Sequence, residues 1–346
     1  MQYVKLGNSS LSVSRICLGT MTFGQQNTEA EGHEQMDYAF GEGINFFDTA
    51  EMYPIPSRKE TQGSTETIIG TWMKQRGVRD KIVLASKITG PSPAMLHIRS
   101  PLDFSGKHIR EALEASLARL QTDYIDLYQL HWPERRMNMF GKRGFEYDPS
   151  DPWQDNFAEV LGVLQDLIRA GKIRYIGLSN EAPWGVMRVL HLSETLGLPR
   201  PVSIQNPYSL LNRLFEVGLA EISLREQVGL LAYSPLAFGV LSGKYIRGSA
   251  APTARLHLFR QYARYSGETA QAATSEYLRV ADEFGFTPAR MALAFVNSRP
   301  FVTSNIIGAT TMEQLRENIA SIHTSLSPGV LEAIESIHRR MPDPSP

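Results

Sequence analysis

Three apolar runs in the first half of the chain each end in a side chain that can move or hold a proton, and helical patterns separate them. Gly43 to Asp48 closes on an aspartate and, after a short turn, presents Tyr53; Ile82 to Lys87 closes on a lysine; Tyr124 to Trp132 carries His131 near its end. Between the last two, His108 to Leu120 places Ile109, Leu113, Ser116, Leu117 and Leu120 on one face of a helix. Strands that alternate with such helices wind into one α/β unit rather than two domains. In a parallel barrel every strand C-terminus lies on one face, so Asp48, Tyr53, Lys87 and His131 can meet there.

Together those four side chains make a proton-donating site. A free tyrosine, with a pKa near ~10, is a poor acid at neutral pH, but an adjacent lysine cation favours the phenolate. Asp48 holds the lysine charged and in place, and His131 orients a substrate carbonyl so that its oxygen receives the proton. The nearby Glu51, Glu60 and Glu66 read as loop or helix charges.

In order and context, Asp48, Tyr53, Lys87 and His131 match the catalytic tetrad of the aldo-keto reductases, which the chain resembles from about residue 1 to about residue 325. Within that family it looks most like the bacterial Tas-like branch and, more distantly, the potassium-channel beta subunits, which share its Gly19-Thr20-Met21-Thr22-Phe23-Gly24 opening. The resemblance implies a (β/α)8 TIM barrel spanning residues 1–346 as a single domain. A hairpin of Tyr3–Leu6 and Leu11–Arg15 would cross its bottom, and the barrel strands would run through Ile16–Gly19, Phe46–Asp48, Val83–Ser86, Leu127–His131, Tyr175–Ser179, Ser203–Asn206, Leu230–Ser234 and Asn305–Ile307. The last helices, around Leu331 to His338, would pack outside. Long connections at Thr89–Gly106, Pro133–Asp155 and Ala237–Gly267 follow strand C-termini and are expected to wall the substrate pocket or cover a cofactor. In the second of them Met137, Met139, Phe140, Phe145, Tyr147 and Trp153 read as an apolar lining.

Reduction of a carbonyl needs a hydride donor, yet no Gly-x-Gly-x-x-Gly opens a helix, which argues against a Rossmann domain. Instead the later strands end in amides and hydroxyls that can bond a nicotinamide carboxamide, with an aromatic ring to stack on it. By resemblance Ser179, Asn180 and Gln205 hold the carboxamide and Tyr233 stacks. The loop of Ser234, Pro235, Leu236, Gly239, Leu241, Gly243 and Lys244 folds over the pyrophosphate, with Lys244 as charge partner. Near the C-terminus a strand, a glycine turn and a helix start can bind phosphate. There the resemblance puts Gly308 and Thr310 toward the 2'-phosphate and Gln314, Glu317 and Asn318 on the adenine. Gly19, Thr20, Met21 and Asp48 complete the expected contacts, and Arg316 nearby favours NADPH over NADH.

The expected function is therefore NADPH-dependent reduction of an aldehyde or ketone, with Tyr53 as general acid. The alternative is an NADPH-binding redox sensor or regulatory subunit with little turnover. A formal net charge of -1 gives no reason to expect nucleic acid or an acidic membrane surface as partner. No strand carries paired histidines in His-x-His spacing, so no metal is expected. Cys17, the one cysteine, lies in an apolar run and reads as an inert buried thiol. The N-terminus lacks the apolar core of a signal peptide, and a cytoplasmic monomer or weak homo-oligomer is the expectation.

Overall fold

The computed structural model describes residues 1–346. In chain order its strands are β1 (Tyr3–Lys5), β2 (Ser12–Ser14), β3 (Ile16–Gly19), β4 (Phe46–Asp48), β5 (Val83–Ile88), β6 (Ile125–Leu130), β7 (Ile173–Ser179), β8 (Pro201–Pro207), β9 (Gly229–Tyr233) and β10 (Val302–Ile307). The helices are α1 (Glu29–Gly41), α2 (Ser64–Arg76), α3 (Gly106–Leu120), α4 (Phe157–Arg169), α5 (Pro183–Leu196), α6 (Phe215–Arg225), α7 (Arg255–Leu258), α8 (Glu268–Glu283), α9 (Pro288–Asn297), α10 (Met312–Ala320) and α11 (Pro328–Arg340). Strands β3 to β10 close into an eight-stranded parallel barrel, and β1 pairs with β2 as a separate antiparallel hairpin. This is the (β/α)8 TIM barrel with an N-terminal hairpin. No helix is long and apolar enough to cross a membrane.

Side chains alternate across a strand, so each barrel strand offers one set to the interior and the other to the helices. On β5 the inward set is Val83, Ala85 and Lys87; on β6 it is Leu127 and Gln129, continued by His131 just past the strand end. The lower members are apolar. Val83, Ala85, Leu127, Cys17, Phe46, Leu231 and Ile306 form one buried cluster with Leu6, Leu11 and Val13 of the hairpin, which thus plugs the N-terminal end of the barrel. The outward set, including Leu84, Ile88, Tyr128, Ile176 and Ile204, packs under the helices in the larger core. On α3 the expected face is buried in full, with Ile109, Leu113, Ser116, Leu117 and Leu120 all inside.

Several helices start on side-chain caps. Thr28 and Glu31 form a reciprocal capping box on α1, and Thr287, Thr311 and Ser327 cap α9, α10 and α11. Two of the carboxylates read as loop or helix charges are buried and paired. Glu66 on α2 accepts from Ser86 Oγ at 2.5 Å and from Arg119 Nε at 2.7 Å, joining strand, α2 and α3. Glu51 is buried beside Arg99. Both were illegible locally because their arginine partners stand 53 and 48 residues away. The long loop after β6 also departs from expectation: Met139 packs with Ala50, Met52 and Trp132, whereas Phe145 and Tyr147 are exposed at 65% and 80% and line nothing.

The hairpin's seat is tight at Gly7, where φ is +52° and a Cβ would stand 2.1 Å from the Val202 carbonyl oxygen. A Gly7→Ala variant is expected to unfold at lower urea, by about 1–3 kcal/mol, because neither the left-handed backbone nor the contact admits a methyl. An unchanged midpoint would mean that the plug does not stabilise the barrel.

Candidate active site

The upper interior of the barrel is polar where the lower is apolar. Lys87, with none of its side chain exposed, donates to Asp48 Oδ2 at 2.6 Å and to the Thr49 carbonyl at 2.7 Å. An ammonium has three N–H donors, so these two contacts leave one free on the group that stands beside Tyr53. Asp48 is fully engaged: its Oδ1 accepts from Gln205 Nε2 at 2.8 Å and from Gln129 Nε2 at 3.3 Å. Lysine, aspartate and two amides therefore come from β5, β4, β6 and β8, and converge because each lies on the inward face near the C-terminal end of its strand.

Tyr53 reaches the same point from the β4–α2 loop. Its ring centroid is 4.9 Å from Lys87 Nζ and 5.8 Å from the His131 ring, edge to face. Burial raises the phenol above its ordinary value, and Lys87 pulls against that without overcoming it. The sequence reading had the lysine dominant, so the direction is corrected here: Tyr53 stands protonated, a donor. For Lys87, burial works against the charge, but Asp48 and then Tyr53 outweigh it and the ammonium is held. His131 falls well below the usual imidazole range, first through burial and then through the Lys87 charge, so it is neutral. Its Nδ1 is buried without a partner.

A second group of expected residues joins the first directly. Ser179 Oγ donates to the Gln205 carbonyl at 2.9 Å, Asn180 Nδ2 to the His131 carbonyl at 2.9 Å, and Tyr233 OH to Asn180 Oδ1 at 2.6 Å. Asn180 and Ser234 take left-handed backbone at φ 54°, and Ala237, Phe238, Gly239 and Gly243 continue such turns along the loop after β9. At its end Lys244 folds over Gly239, where a Cβ would stand 2.9 Å from Nζ. Thr20 donates to the Asp48 carbonyl at 2.8 Å, which fixes Gly19 and Met21 at the rim.

The third group lies at the β10–α10 turn. Asn318 Nδ2 donates to the Gly308 carbonyl at 3.1 Å, Thr310 N to Gln314 Oε1 at 3.0 Å, and Asn27 Nδ2 to the Thr310 carbonyl at 3.0 Å. Glu317 instead bonds the Thr287 hydroxyl. Arg316 lies over the Tyr38 ring, 5.4 Å from its centroid.

One residue escaped the sequence reading. Arg255, at the start of α7, lies 5.2 Å from the Phe238 centroid and reaches toward Met21 Sδ at 3.7 Å. Burial lowers its pKa and that of Lys244, whose charge Arg255 further opposes, and no carboxylate relieves either. Two adjacent cations without an acid, beside a left-handed loop, suit a dianionic phosphate group. Nothing but its position in a loop of small and polar residues marks Arg255 in the sequence.

The aldo/keto reductase family profile matches residues 15–339. The chain belongs to that family. It is 54% identical over 347 residues to protein tas of Escherichia coli K12, covering all of both chains. It is 35% identical to the uncharacterized oxidoreductase YrpG of Bacillus subtilis, over 97% of this chain and 96% of that one. A probable voltage-gated potassium channel subunit beta of Arabidopsis thaliana is 31% identical, over 99% and 98%. The protein is thus an oxidoreductase of a family that acts on small carbonyl compounds and generally uses a nicotinamide dinucleotide.

Because His131 stays neutral when the unfolded chain's histidine takes a proton, stability is expected to fall as pH drops below about 6.5. The slope from this residue is at most about 1.4 kcal/mol per pH unit. In His131→Asn, urea unfolding between about pH 6.5 and 5 should show a shallower decline than wild type. Equal slopes would mean that the imidazole titrates in the folded protein as it does unfolded.

Proposed function

We propose that this protein reduces an aldehyde or ketone to the alcohol with NADPH, and that Asp48, Tyr53, Lys87 and His131 are its catalytic residues. The observation that carries the reading is the buried Asp48–Lys87 pair with its ammonium 4.9 Å from the Tyr53 ring centroid, and neutral His131 edge-on to the same ring. The bound cofactor supplies hydride to the carbonyl carbon. Lys87 stabilises negative charge as it develops on the Tyr53 oxygen, so the phenol gives up its proton at the moment the substrate oxygen becomes basic. His131 offers Nε2–H to that same oxygen and sets the carbonyl's orientation. Asp48 keeps the ammonium in place throughout.

The residues fit a nicotinamide dinucleotide in both charge and shape. Ser179, Asn180 and Gln205 present amide and hydroxyl groups beside Tyr233, whose ring is the stacking surface. Lys244 and Arg255, cations without an acid, would hold the phosphates, and Gly308, Thr310, Gln314 and Asn318 the adenosine end. At that end Arg316, on α10 with Gln314 and Asn318, is the cation that favours NADPH, whose 2'-phosphate NADH lacks.

Tyr53→Phe is expected to lower kcat by at least about 100-fold in aldehyde reduction while NADPH affinity, read by fluorescence quenching, stays nearly unchanged. Lys87→Met should be at least as damaging as His131→Ala near neutral pH, since Lys87 sustains the acid and His131 orients. Because that change strands the buried Asp48 charge, Lys87→Met is to be compared with Lys87→Met/Asp48→Asn. Normal turnover in Tyr53→Phe would defeat the mechanism, and bound NADPH that no aldehyde oxidises in a single turnover would favour a sensor.

Lys244→Ala and Arg255→Ala are expected each to weaken NADPH by about 10-fold or more, through lost charge-assisted bonds to phosphate. If both bound NADPH as wild type does, the phosphate assignment would be wrong.

A further inference from the structure

The side chains proposed to face a nicotinamide carboxamide have no donor left to give it. The Ser179 hydroxyl goes to the Gln205 carbonyl at 2.9 Å and the Tyr233 hydroxyl to Asn180 Oδ1 at 2.6 Å. Asn180 Nδ2 donates to the His131 carbonyl at 2.9 Å and to Ser179 Oγ at 3.2 Å, and Gln205 Nε2 donates to Asp48 Oδ1 at 2.8 Å and to Gln129 Oε1 at 3.3 Å. An amide nitrogen carries two hydrogens, so both are spent in each case. What stays free is acceptor capacity, above all Gln205 Oε1, which takes no bond within the protein and is not among its sealed, unpartnered atoms.

Gln129 closes this arrangement from two strands away. It stands on β6 with no exposed surface and Gln205 on β8, and β7 runs between them. In register with Gln129 on β7 is Gly177, where a Cβ would stand 3.1 Å from Gln129 Cγ, so the missing side chain leaves the room in which the two glutamines meet. Asp48 Oδ1 accepts from both, from Gln129 Nε2 at 3.3 Å and from Gln205 Nε2 at 2.8 Å. A carboxylate only accepts, so this triangle turns both amide nitrogens toward Asp48 and the Gln129 oxygen toward Gln205. Asp48 alone would leave the Gln205 amide free to rotate about a single bond. The second bond, to Gln129, fixes its plane and takes its last N–H.

We propose that Gln129 is a positioning residue that acts through Gln205: it leaves the side chains of the carboxamide pocket as acceptors only, so that the protein selects a pyridine ring whose substituent carries N–H. The inference rests on the cofactor reading above. A carboxamide brings two N–H donors, of which Gln205 Oε1 takes one. An acetyl group in its place brings none, and a carboxylate would lose its water against oxygens that cannot donate to it. Without Gln129 the Gln205 amide regains both an N–H and its freedom to turn, and the selection relaxes.

The test is calorimetric binding, without turnover, of NADP+, its 3-acetylpyridine analogue and its nicotinic acid analogue to wild type, Gln129→Met and Gly177→Ala. Methionine keeps the length of Gln129 without its hydrogen bonds. Gly177→Ala keeps Gln129 and presses on its stem, while the nearest neighbour of the new methyl, Ser203 Oγ at 2.7 Å, has no hydrogen bond and can turn aside. Wild type is expected to bind NADP+ about 10-fold or more tighter than either analogue. Gln129→Met should cut that preference by about 5-fold, in part by binding the analogues better, and Gly177→Ala should shift it the same way by less. A purely structural role would weaken all three nucleotides alike. Ratios that stay at the wild-type value in both variants, or a wild type that binds all three equally, would overturn the inference and leave the cofactor reading standing. A folded wild type that binds none of the three would defeat the cofactor reading, and the inference with it.

Discussion

An ammonium group with no exposed surface stands inside the barrel against an aspartate, and the ordering of the upper interior follows from that pair. A lone buried charge would be untenable, since its desolvation costs several kcal/mol even after relaxation. Lys87 is tolerated because Asp48 and the Thr49 carbonyl take two of its donors, and because Gln205 and Gln129 satisfy the remaining acceptor capacity of Asp48. The result ties β4, β5, β6 and β8 together across the barrel's centre rather than along its wall. The charge that would lower a transition state is therefore held in place before any substrate arrives, at no reorganisation cost during reaction.

Such a network requires a dry, rigid floor. Below it the inward residues are Phe46, Val83, Ala85, Leu127, Leu231 and Ile306, and the hairpin's Leu6, Leu11 and Val13 close the end from which water would otherwise enter. The same strand period of two thus yields apolar filling at one level and ionic chemistry a residue or two higher. Stability and function are stacked along one axis, and the boundary between them is the layer from Ala85 to Lys87.

What could be read from the sequence follows from where each partner lies. The strands, the hairpin, the face of α3 and the four convergent side chains were legible because strand period, helix period and the strand-end positions of Asp48, Lys87 and His131 are local patterns. The buried roles of Glu51 and Glu66 were not, since a glutamate in a loop or on a helix looks the same whether or not an arginine some fifty residues away closes over it. Arg255 was hidden for the converse reason: it is defined by the acid it lacks. The balance at Tyr53 was misjudged because charge partners can be named from sequence, whereas the depth of burial, which here outweighs Lys87, is a property of the packed pocket.

The loops at the upper face are held by ion pairs where the barrel is held by apolar contact. Glu51 binds Arg99 through both oxygens, at 2.9 and 3.1 Å, and receives Thr89 N at 2.6 Å, so it pins the connection after β5 against the segment that carries Tyr53. Arg135 does the same for the connection after β6: it pairs with Glu181, the residue next to Asn180, beneath the ring of Trp184 at 5.0 Å. Each clasp has its glutamate one or two residues from a proposed site residue; Arg135 holds the root of its loop, and Arg99 with Thr89 holds two points of the other. Beyond the roots, the connections differ in character, from the packed Met139 to the exposed Phe145 and Tyr147. A loop fastened at its root by a buried charge pair can change its tip without disturbing the Asp48–Lys87 network. Variation at the upper face is thereby separated from the geometry of the proposed proton-transfer residues, which is a physical condition for one barrel architecture to serve many substrates.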